Sequence, residues 1–210
     1  MRKSYAVFGL GEFGKSVALE LSKMGADVLV CDMDESKVAA FSDSVTSAVV
    51  MDVLDEPSYS KLGISNMDGV IVSMTGSLDA SIFAILKAKE AGVSLVLAKA
   101  ADSTQELIFR KIGADRVVIP ERDGGIRIAR SALSGNYLDY IELSDKLKMI
   151  ELNIDERWIG HSLQELKLRE KRGINIIAVN RRGNIITDIK PDLKLFQDDT
   201  IIAVSYNLHN

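Results

Sequence analysis

Three glycines and one aspartate near the start of the chain have the spacing of a phosphate-binding turn. Gly9, Gly11 and Gly14 follow the apolar run of residues 5–8. Such glycines permit a tight turn, close approach of the backbone to a pyrophosphate, and close packing of a helix on a sheet. Asp32 lies about twenty residues further on, where a carboxylate accepts hydrogen bonds from ribose hydroxyls. The pattern predicts a dinucleotide-type site, with glycines kept only for packing as the alternative.

The segments that must position these residues alternate between strand and helix. Six apolar runs are separated by segments with helical spacing, and the runs are residues 5–8, 28–31, 45–51, 70–74, 93–98 and 117–119. This alternation requires a parallel sheet with helices on both faces, and right-handed crossovers make the fold doubly wound. We therefore predict an α/β fold with a doubly wound parallel Rossmann-like sheet, a crossover helix, and a second, smaller α+β domain.

The segment after the sixth strand has no strand to return to. Residues 121–134 have helical spacing, and apolar Tyr137, Leu138 and Tyr140 extend the apolar character of this helix. We expect the helix to pack against another subunit, the alternative being that it covers a sheet edge. Residues 1–120 are predicted to form the first domain, residues 121–139 a crossover helix and linker, and residues 140–210 the second domain.

The second domain is predicted to follow the order strand, helix, strand, strand, strand. Ser162 and Glu165 have the spacing of a capping box at the helix start. Residues 174–179 and 185–188 are predicted to form a hairpin around residues 180–184, and residues 200–204 the last strand.

Composition limits the class of protein. The 210 residues are 47% hydrophobic and 27% charged, which is typical of a globular protein and not of a disordered or membrane-spanning one. A single cysteine excludes an internal disulfide and suits a reducing compartment. The net charge of −4 argues against a nucleic-acid-binding protein. We expect a cytoplasmic protein without direct membrane insertion, whose charged N-terminus leads into a strand and not a signal peptide.

Several stretches together resemble one protein family. They are the glycine turn of residues 9–14, Asp32, residues 111–117, residues 120–123, and a small β-rich C-terminal domain that contains residues 173–179. The chain resembles the cytosolic regulatory subunits of bacterial potassium-uptake systems of the Trk and Ktr type, whose domains are called RCK. The resemblance implies a regulator without catalysis that binds adenine nucleotides and gates an integral membrane potassium-translocating subunit from the inner face of the membrane. It also implies a homodimer and assembly into an octameric ring.

The resemblance implies which residues bind NAD(H) or an adenine nucleotide (ADP, AMP or ATP). They are Gly9, Leu10, Gly11, Glu12, Phe13 and Gly14 at the turn, Asp32 at the ribose, Asp52 and Val53 on the adenine side, and also Met33, Thr75, Gly76, Ser77 and Lys99. Thr75 to Ser77 follow the fourth strand at the carboxyl edge of the sheet, where ligands bind in open α/β folds. The alternatives are a plain turn at Asp52, a helix cap at Ser77 and an exposed lysine at Lys99.

Two glutamates bear on the charge of this site. Several relatives carry arginine at the position of Glu12, and a carboxylate about 4 Å from a phosphate costs roughly 1–4 kcal/mol. We therefore expect ATP to bind more weakly than in those relatives, with Glu12 turned to solvent or sharing a cation with Glu121. By resemblance, Glu121 holds a divalent or monovalent cation beside the phosphates across the dimer; the alternative is a first-turn glutamate favoured by the helix dipole.

The second domain carries a concentration of positive charge. Six basic residues fall within sixteen positions, namely Lys167, Arg169, Lys171, Arg172, Arg181 and Arg182. They predict an anionic partner or, alternatively, a solvated helix end and hairpin turn. In some relatives the paired small domains bind cyclic di-AMP, and the resemblance implies that Arg169, Ile174, Asn175, Ile176 and Pro191 would do so here, with one ligand per dimer.

Two other functions compete with this interpretation. A nicotinamide oxidoreductase opens with the same glycine pattern. However, neither histidine, His161 or His209, is placed like a general base. A dinucleotide-sensing transcription regulator would need a basic recognition helix, which the sequence does not predict.

Overall fold

The computed structural model describes residues 2–74, 76–134, 137–142 and 147–206. They belong to two compact units, Met1–Arg122 and Asp123–Asn210. Within the described residues, no helix combines the length and the apolar character needed to cross a membrane.

The first unit is built on a six-stranded parallel sheet. Its strands are β1 (Ser4–Phe8), β2 (Asp27–Asp32), β3 (Ser47–Val50), β4 (Gly69–Val72), β5 (Leu95–Lys99) and β6 (Arg116–Val118), in the order β3-β2-β1-β4-β5-β6. The helices between and after them are α1 (Glu12–Lys23), α2 (Glu35–Phe41), α3 (Glu56–Leu62), α4 (Leu78–Glu90), α5 (Ser103–Lys111) and α6 (Pro120–Ser134). The predicted α/β alternation is confirmed, with strand bounds that differ from the predicted ones by at most two residues.

Side chains that alternate along the strands form two separate apolar layers. Ala6 and Phe8 of β1 pack in one core cluster, which also contains buried residues of α3, α4 and α5. Val7 points to the opposite face, where its cluster includes Ala18 of α1 and Val38 of α2. Because both faces are covered by helices, the sheet is doubly wound, as predicted.

The strand order reverses between β1 and β4. The chain runs outward from β1 to β2 and β3, then returns to place β4 on the other side of β1. In an open parallel sheet the loops separate at such a point, and the crevice beyond the carboxyl ends of the strands takes ligands. The loops after β1 and β4 therefore flank the crevice in which a ligand is expected to bind.

Residues 111–117, one of the stretches that carry the family resemblance, have a structural role at the start of β6. Gly113 adopts a φ of 104°, a left-handed conformation that favours glycine. The Asp115 carboxylate then accepts the backbone N–H of Val96 at 2.7 Å and pairs with Lys89 at 3.1 Å. This part of the motif therefore ties the start of β6 to β5.

The second unit is a smaller α+β arrangement, as predicted. Its five-stranded antiparallel sheet has the order β10-β9-β11-β8-β7, formed by β7 (Tyr137–Glu142), β8 (Leu147–Asn153), β9 (Ile174–Arg181), β10 (Asn184–Ile186) and β11 (Asp199–Tyr206). Two short helices, α7 (Leu163–Leu166) and α8 (Leu168–Arg172), precede β9. The predicted capping box of Ser162 and Glu165 is present. Trp158, Leu195 and Ile201 lie in the core of this unit.

The second unit departs from two sequence expectations. Residues 137–142 form a strand that pairs with β8, whereas residues 137–139 were expected to belong to a linker. The hairpin turn is only two residues long, Arg182 and Gly183, with φ angles of 54° and 86°. Positive φ at both positions matches the twist of the flanking strands, so Arg181 lies in β9 and not in the turn.

Candidate functional site

The glycine turn connects β1 to α1, and its three glycines have different surroundings. A Cβ atom added to Gly9 would lie 2.7 Å from the Ser73 carbonyl oxygen, and one added to Gly14 would lie 1.9 Å from the Gly9 carbonyl oxygen. Gly11 has no such neighbour within 4 Å, although it is the N-cap of α1. Its lack of a side chain leaves the first N–H groups of α1 without a side-chain cap. The turn is thus closed by packing at Gly9 and Gly14 and open at Gly11.

Asp32 is held across the end of the first two strands. Its Oδ2 accepts the backbone N–H of Leu10 at 2.6 Å, and its Oδ1 accepts that of Asp34 at 2.9 Å. A carboxylate has about four lone-pair positions, so each oxygen can still accept a hydroxyl. The acceptor predicted for a ribose is therefore in a fixed position.

A cavity of about 610 Å³, which we call the Asp32 cleft, lies beyond the carboxyl ends of these strands. Seven of the predicted site residues line it: Gly9, Asp32, Met33, Asp52, Val53, Gly76 and Ser77. The residues not predicted are Cys31, Asp34, Lys37, Met51, Leu54, Met74 and Ala80. The topology thus brings together segments that are more than forty residues apart in the chain.

Two residues of the Asp32 cleft also have the structural roles offered as alternatives. Asp52 accepts the backbone N–H of Leu54 at 2.9 Å, as a plain turn would. Ser77 is the N-cap of α4 and accepts the N–H of Ala80 at 3.4 Å. A cap and a lining residue are compatible, because the Ser77 side chain needs only one lone pair for the cap.

A second cavity of about 380 Å³, the Lys99 cleft, lies on the other side of the turn. It is lined by Gly11, Glu12, Phe13, Ser16, Ser73, Lys99, Pro120 and Glu121. Lys99 is only 8% exposed, so the alternative of an exposed lysine is wrong. Its Nζ lies 2.6 Å from the Glu121 Oε1 and 6.0 Å from the centre of the Phe13 ring. The hydrogen bond from Lys99 lowers the pKa of the Glu121 carboxyl.

The described residues contain no group of three or more His, Cys, Asp or Glu side chains arranged to hold a metal ion. Glu121 instead has Lys99 as its partner and lies in the first turn of α6. The cation assigned to Glu121 involves a second subunit, and it stays a prediction.

Among the predicted turn residues, Leu10 and Gly14 line neither cleft, and Glu12 lines the Lys99 cleft with its side chain turned to solvent. Leu10 is fully buried in the core, and its N–H is taken by Asp32. Gly14 lines neither cleft and packs against Gly9. The Glu12 side chain is 95% exposed and lies 3.4 Å from Lys15, so it takes the solvent-facing alternative. Thr75 lies outside the described residues.

Two residues that sequence reasoning missed are notable. Ser73 follows β4, is 3% exposed, and its Oγ has no hydrogen-bond partner among the described residues. A polar residue inside the apolar run of residues 70–74 was a signal that could have identified it. Cys31 lines the Asp32 cleft, and burial raises the pKa of its thiol to about 12.

The second unit has a groove of its own, of about 610 Å³, which we call the Arg169 groove. All five residues predicted for a second ligand line it, namely Arg169, Ile174, Asn175, Ile176 and Pro191. Lys167 and Lys190 add positive charge, and Glu170 adds one negative charge. The structure brings these residues together, and their binding of a ligand stays a prediction.

The six basic residues of this unit do not form one patch, contrary to the predicted cluster. Arg181 donates two hydrogen bonds of 2.8 Å to the buried Asp199 and packs on the Phe196 ring. Arg182 pairs with Asp198 at 3.2 Å. Lys171 and Arg172 line a separate small cleft beside Trp158. Of these six basic residues, Lys167 and Arg169 are the two that line the Arg169 groove.

His161 belongs to the second unit and is not among the residues that line either cleft of the first unit. It is exposed and lies 3.7 Å from Glu165. His209 lies outside the described residues.

Comparison with protein families defines the class of this two-domain chain. Residues 5–120 match the TrkA-N domain, and residues 147–205 match the TrkA-C domain. The chain belongs to the family of proteins built from these domains, which confirms the resemblance to the regulatory subunits of potassium-uptake systems.

Individual relatives narrow this class. The chain is 39% identical over 204 residues to Ktr system potassium uptake protein C of Bacillus subtilis (strain 168), covering 97% of this chain and 92% of that protein. It is 37% identical over 202 residues to Ktr system potassium uptake protein A of Vibrio alginolyticus, which covers 96% of this chain and 92% of that protein. The solved structure of the GsuK channel bound to NAD has the same fold, with a TM-score of 0.67 at 17% identity over 99% of this chain and 38% of that one.

Proposed function

We propose that this chain is a nucleotide-sensing regulatory subunit that gates a potassium-translocating membrane protein from the inner face of the membrane, without catalysing a reaction. Family membership and the names of the Ktr relatives support the role in potassium uptake. The observation that carries the nucleotide site is the turn open at Gly11 beside a fixed Asp32.

The ligand that fits the Asp32 cleft is an adenosine carrying phosphates. Asp32 would accept the ribose hydroxyls, and the exposed Met33 would cover one face of the base. The phosphates would then approach the uncapped N–H groups of α1, where the helix dipole favours negative charge. NAD(H), ADP and AMP all meet these conditions, and NAD is bound in a solved structure of the same fold.

ATP should bind more weakly here than in relatives that carry arginine at position 12. Glu12 lies at the mouth of the Lys99 cleft with an almost fully exposed side chain. The terminal phosphate of ATP would therefore find no positive partner at position 12, and the Glu12 carboxylate would repel it through solvent.

Isothermal titration calorimetry with NAD(H), ADP, AMP and ATP tests the nucleotide site. Asp32→Asn should weaken every adenosine ligand about tenfold or more, because hydrogen bonds to a charged acceptor are lost. Asp43→Asn, an exposed aspartate on the surface of the same unit, is the matched control. Equal affinities in the wild type and Asp32→Asn would refute the assignment. Glu12→Arg should raise the affinity for ATP relative to ADP.

Gating is tested with the membrane subunit reconstituted in vesicles. Potassium flux should depend on added chain and should change when the nucleotide is exchanged. If potassium flux changes neither with added chain nor with exchange of the nucleotide, the regulatory role is contradicted. If the chain alone oxidises NADH, it is an enzyme.

The Arg169 groove supports a proposal for a second ligand, cyclic di-AMP. Arginine grips a phosphate through two donors at once, and Ile174 and Ile176 offer apolar contact for the bases. Calorimetry on the full chain should give one ligand per two chains, with binding lost in Arg169→Ala. Lys171→Ala is the control, because Lys171 lies on the same helix but lines the other cleft. Equal loss in both variants, or no binding by the wild type, would remove cyclic di-AMP from the proposal.

A further inference from the structure

Sulfur-containing side chains are concentrated at the Asp32 cleft. Three of the seven methionines of the chain and its single cysteine line this cavity, namely Cys31, Met33, Met51 and Met74. Peroxides oxidise a methionine thioether to a sulfoxide, which replaces a flexible apolar group by a polar one. The contacts that the cleft offers a ligand therefore depend on which of these sulfur atoms an oxidant reaches.

Burial distinguishes these four side chains. Met51 is 5% exposed, and Cys31 is fully buried, which raises the pKa of its thiol to about 12. Met74 is half-buried against the glycine turn, where its Cγ would lie 2.9 Å from a Cβ added to Gly9. Met33, in contrast, is 75% exposed. Its sulfur is thus the one in the cleft that an oxidant in solution reaches most readily.

The backbone around Met33 is fixed beside the acceptor assigned to the ribose. The Asp32 Oδ1 accepts the N–H of Asp34 at 2.9 Å, so one hydrogen bond spans Met33. The Asp34 carboxylate in turn caps α2 by accepting the N–H of Ser36 at 3.0 Å. A thioether held at this place makes favourable contacts with an aromatic ring. A sulfoxide there binds water instead and loses part of that contact.

We propose that Met33 is a site of oxidative modification, at which a peroxide converts the thioether to a sulfoxide and thereby weakens nucleotide binding in the Asp32 cleft. With hydrogen peroxide, the Met33 Sδ attacks one peroxide oxygen, an S–O bond forms as the O–O bond breaks, and the other oxygen leaves as water. The sulfur loses two electrons and the peroxide gains them. The proposal rests on the proposed function, since the affected ligand is the nucleotide of that cleft.

The test treats the full chain with hydrogen peroxide, removes the excess with catalase, and measures ADP binding by calorimetry. Peptide mass spectrometry should find Met33 oxidised at least about tenfold faster than Met51, because the buried thioether is shielded. The oxidised chain should bind ADP roughly threefold to tenfold more weakly, which is the range expected for loss of a sulfur–aromatic contact. Methionine sulfoxide reductases should restore the affinity.

A second exposed methionine provides the matched control. Met24 is 78% exposed, but it is the C-cap of α1, at the opposite end of that helix from the glycine turn, and it lines neither cleft of the first unit. Peroxide should weaken ADP binding by Met24→Leu as much as by the wild type. The affinity of Met33→Leu should be the same before and after peroxide.

Two further measurements separate this effect from damage to the fold. Saturating ADP should slow the oxidation of Met33 and not that of Met24, because the ligand covers one and not the other. The melting temperature without ligand should be the same before and after oxidation, since Met33 is exposed.

The outcomes are distinct. Equal ADP affinities before and after complete oxidation of Met33 would overturn the proposal alone, as would the same peroxide-induced loss in Met33→Leu as in the wild type. Failure of the untreated wild type to bind ADP, NAD(H) or AMP would instead overturn the proposed function, and the proposal with it.

Discussion

Cys31 shows how the fold suppresses the chemistry of a single residue. The thiol lines the Asp32 cleft at the end of β2 but is fully buried, and burial raises its pKa to about 12. Only the thiolate is a good nucleophile. At neutral pH the native protein should therefore hold Cys31 almost entirely as the unreactive thiol.

We predict that a chromogenic disulfide reagent at pH 8 labels the native chain at least a hundredfold more slowly than the chain in guanidinium. Labelling then follows transient opening of the fold, and a nucleotide in the Asp32 cleft should slow it further. Absorbance at the wavelength of the released thiolate measures the rate. Rapid stoichiometric labelling of the native chain would show that Cys31 is accessible.

At the scale of the element, two glycines of the same turn are expected to have different roles. Gly14 is needed for the stability of the fold, and Gly11 is needed for binding of the nucleotide. Gly14→Ala places a methyl group on the Gly9 carbonyl oxygen, and the forced shift of α1 should cost about 3 kcal/mol of unfolding free energy. Gly11→Ala meets no atom and has an extended φ of −71°, so it should cost no more than about 1 kcal/mol. Gly11→Ala should nevertheless weaken ADP, because its methyl group occupies the space of a phosphate. Urea denaturation and calorimetry on both variants check the two effects, and similar stability losses would contradict this division.

The hairpin of β9 and β10 offers a second paired test. Burial alone would raise the pKa of Asp199, but hydrogen bonds from Arg181 and from the Phe196 N–H lower it overall. Arg181→Ala leaves a buried carboxylate without its cation and should destabilise the chain by about 3 kcal/mol. Arg182→Ala removes an exposed pair with Asp198 and should change stability by less than about 0.5 kcal/mol. Chemical denaturation gives both values, and a small effect of Arg181→Ala would mean that water compensates Asp199.

The sequence predicted the elements whose patterns are local. Six alternating strands and the caps at Ser77 and Ser162 are set by neighbouring residues, and all of them are present. Strand β7 was missed because it depends on its pairing with β8 and not on its own alternation. The Arg181–Asp199 pair spans eighteen positions, and only the register of β9 with β11 brings the two residues together.

The residues of the candidate site also divide into those set by local sequence patterns, which were predicted, and those set by the folded sheet, which were not. Gly9, Gly11, Gly14 and Asp32 were predicted because their spacing is short and has a mechanical reason. Ser73 and the pairing of Lys99 with Glu121 were not, because they come from separate strand ends that meet only in the folded sheet. Which side chains from separate strand ends pair with each other has no signature in a single sequence.

At the scale of the whole molecule, α6 exposes apolar side chains. Ile126 and Ile128 are 44% and 71% exposed on this helix, after which the described residues add no further strand to the parallel sheet. Exposed apolar residues on one helix favour association with another chain. We therefore expect a homo-oligomer, at least a dimer, built in part on α6.

Light scattering at micromolar concentration should report at least twice the 23.0 kDa mass of the chain. Replacing both Ile126 and Ile128 by glutamate should shift the mass toward the monomer, because burial of two carboxylates in an interface is unfavourable. Leu107→Glu is the control, as Leu107 is 59% exposed on α5. A wild-type monomer, or the same shift in the control, would contradict an interface on α6.

The two hydrogen bonds that Asp32 accepts from Leu10 and Asp34 have a consequence for the history of the family. The carboxylate that would recognise a ribose also closes the first turn of the sheet, so selection acts on it through folding as well as through ligand. A descendant that abandoned its nucleotide would still be penalised for losing the aspartate. An aspartate at this position in a relative therefore indicates an intact turn and does not by itself indicate nucleotide binding. A glycine that leaves the start of α1 open, as Gly11 does, is the stronger indication that a relative still binds a nucleotide.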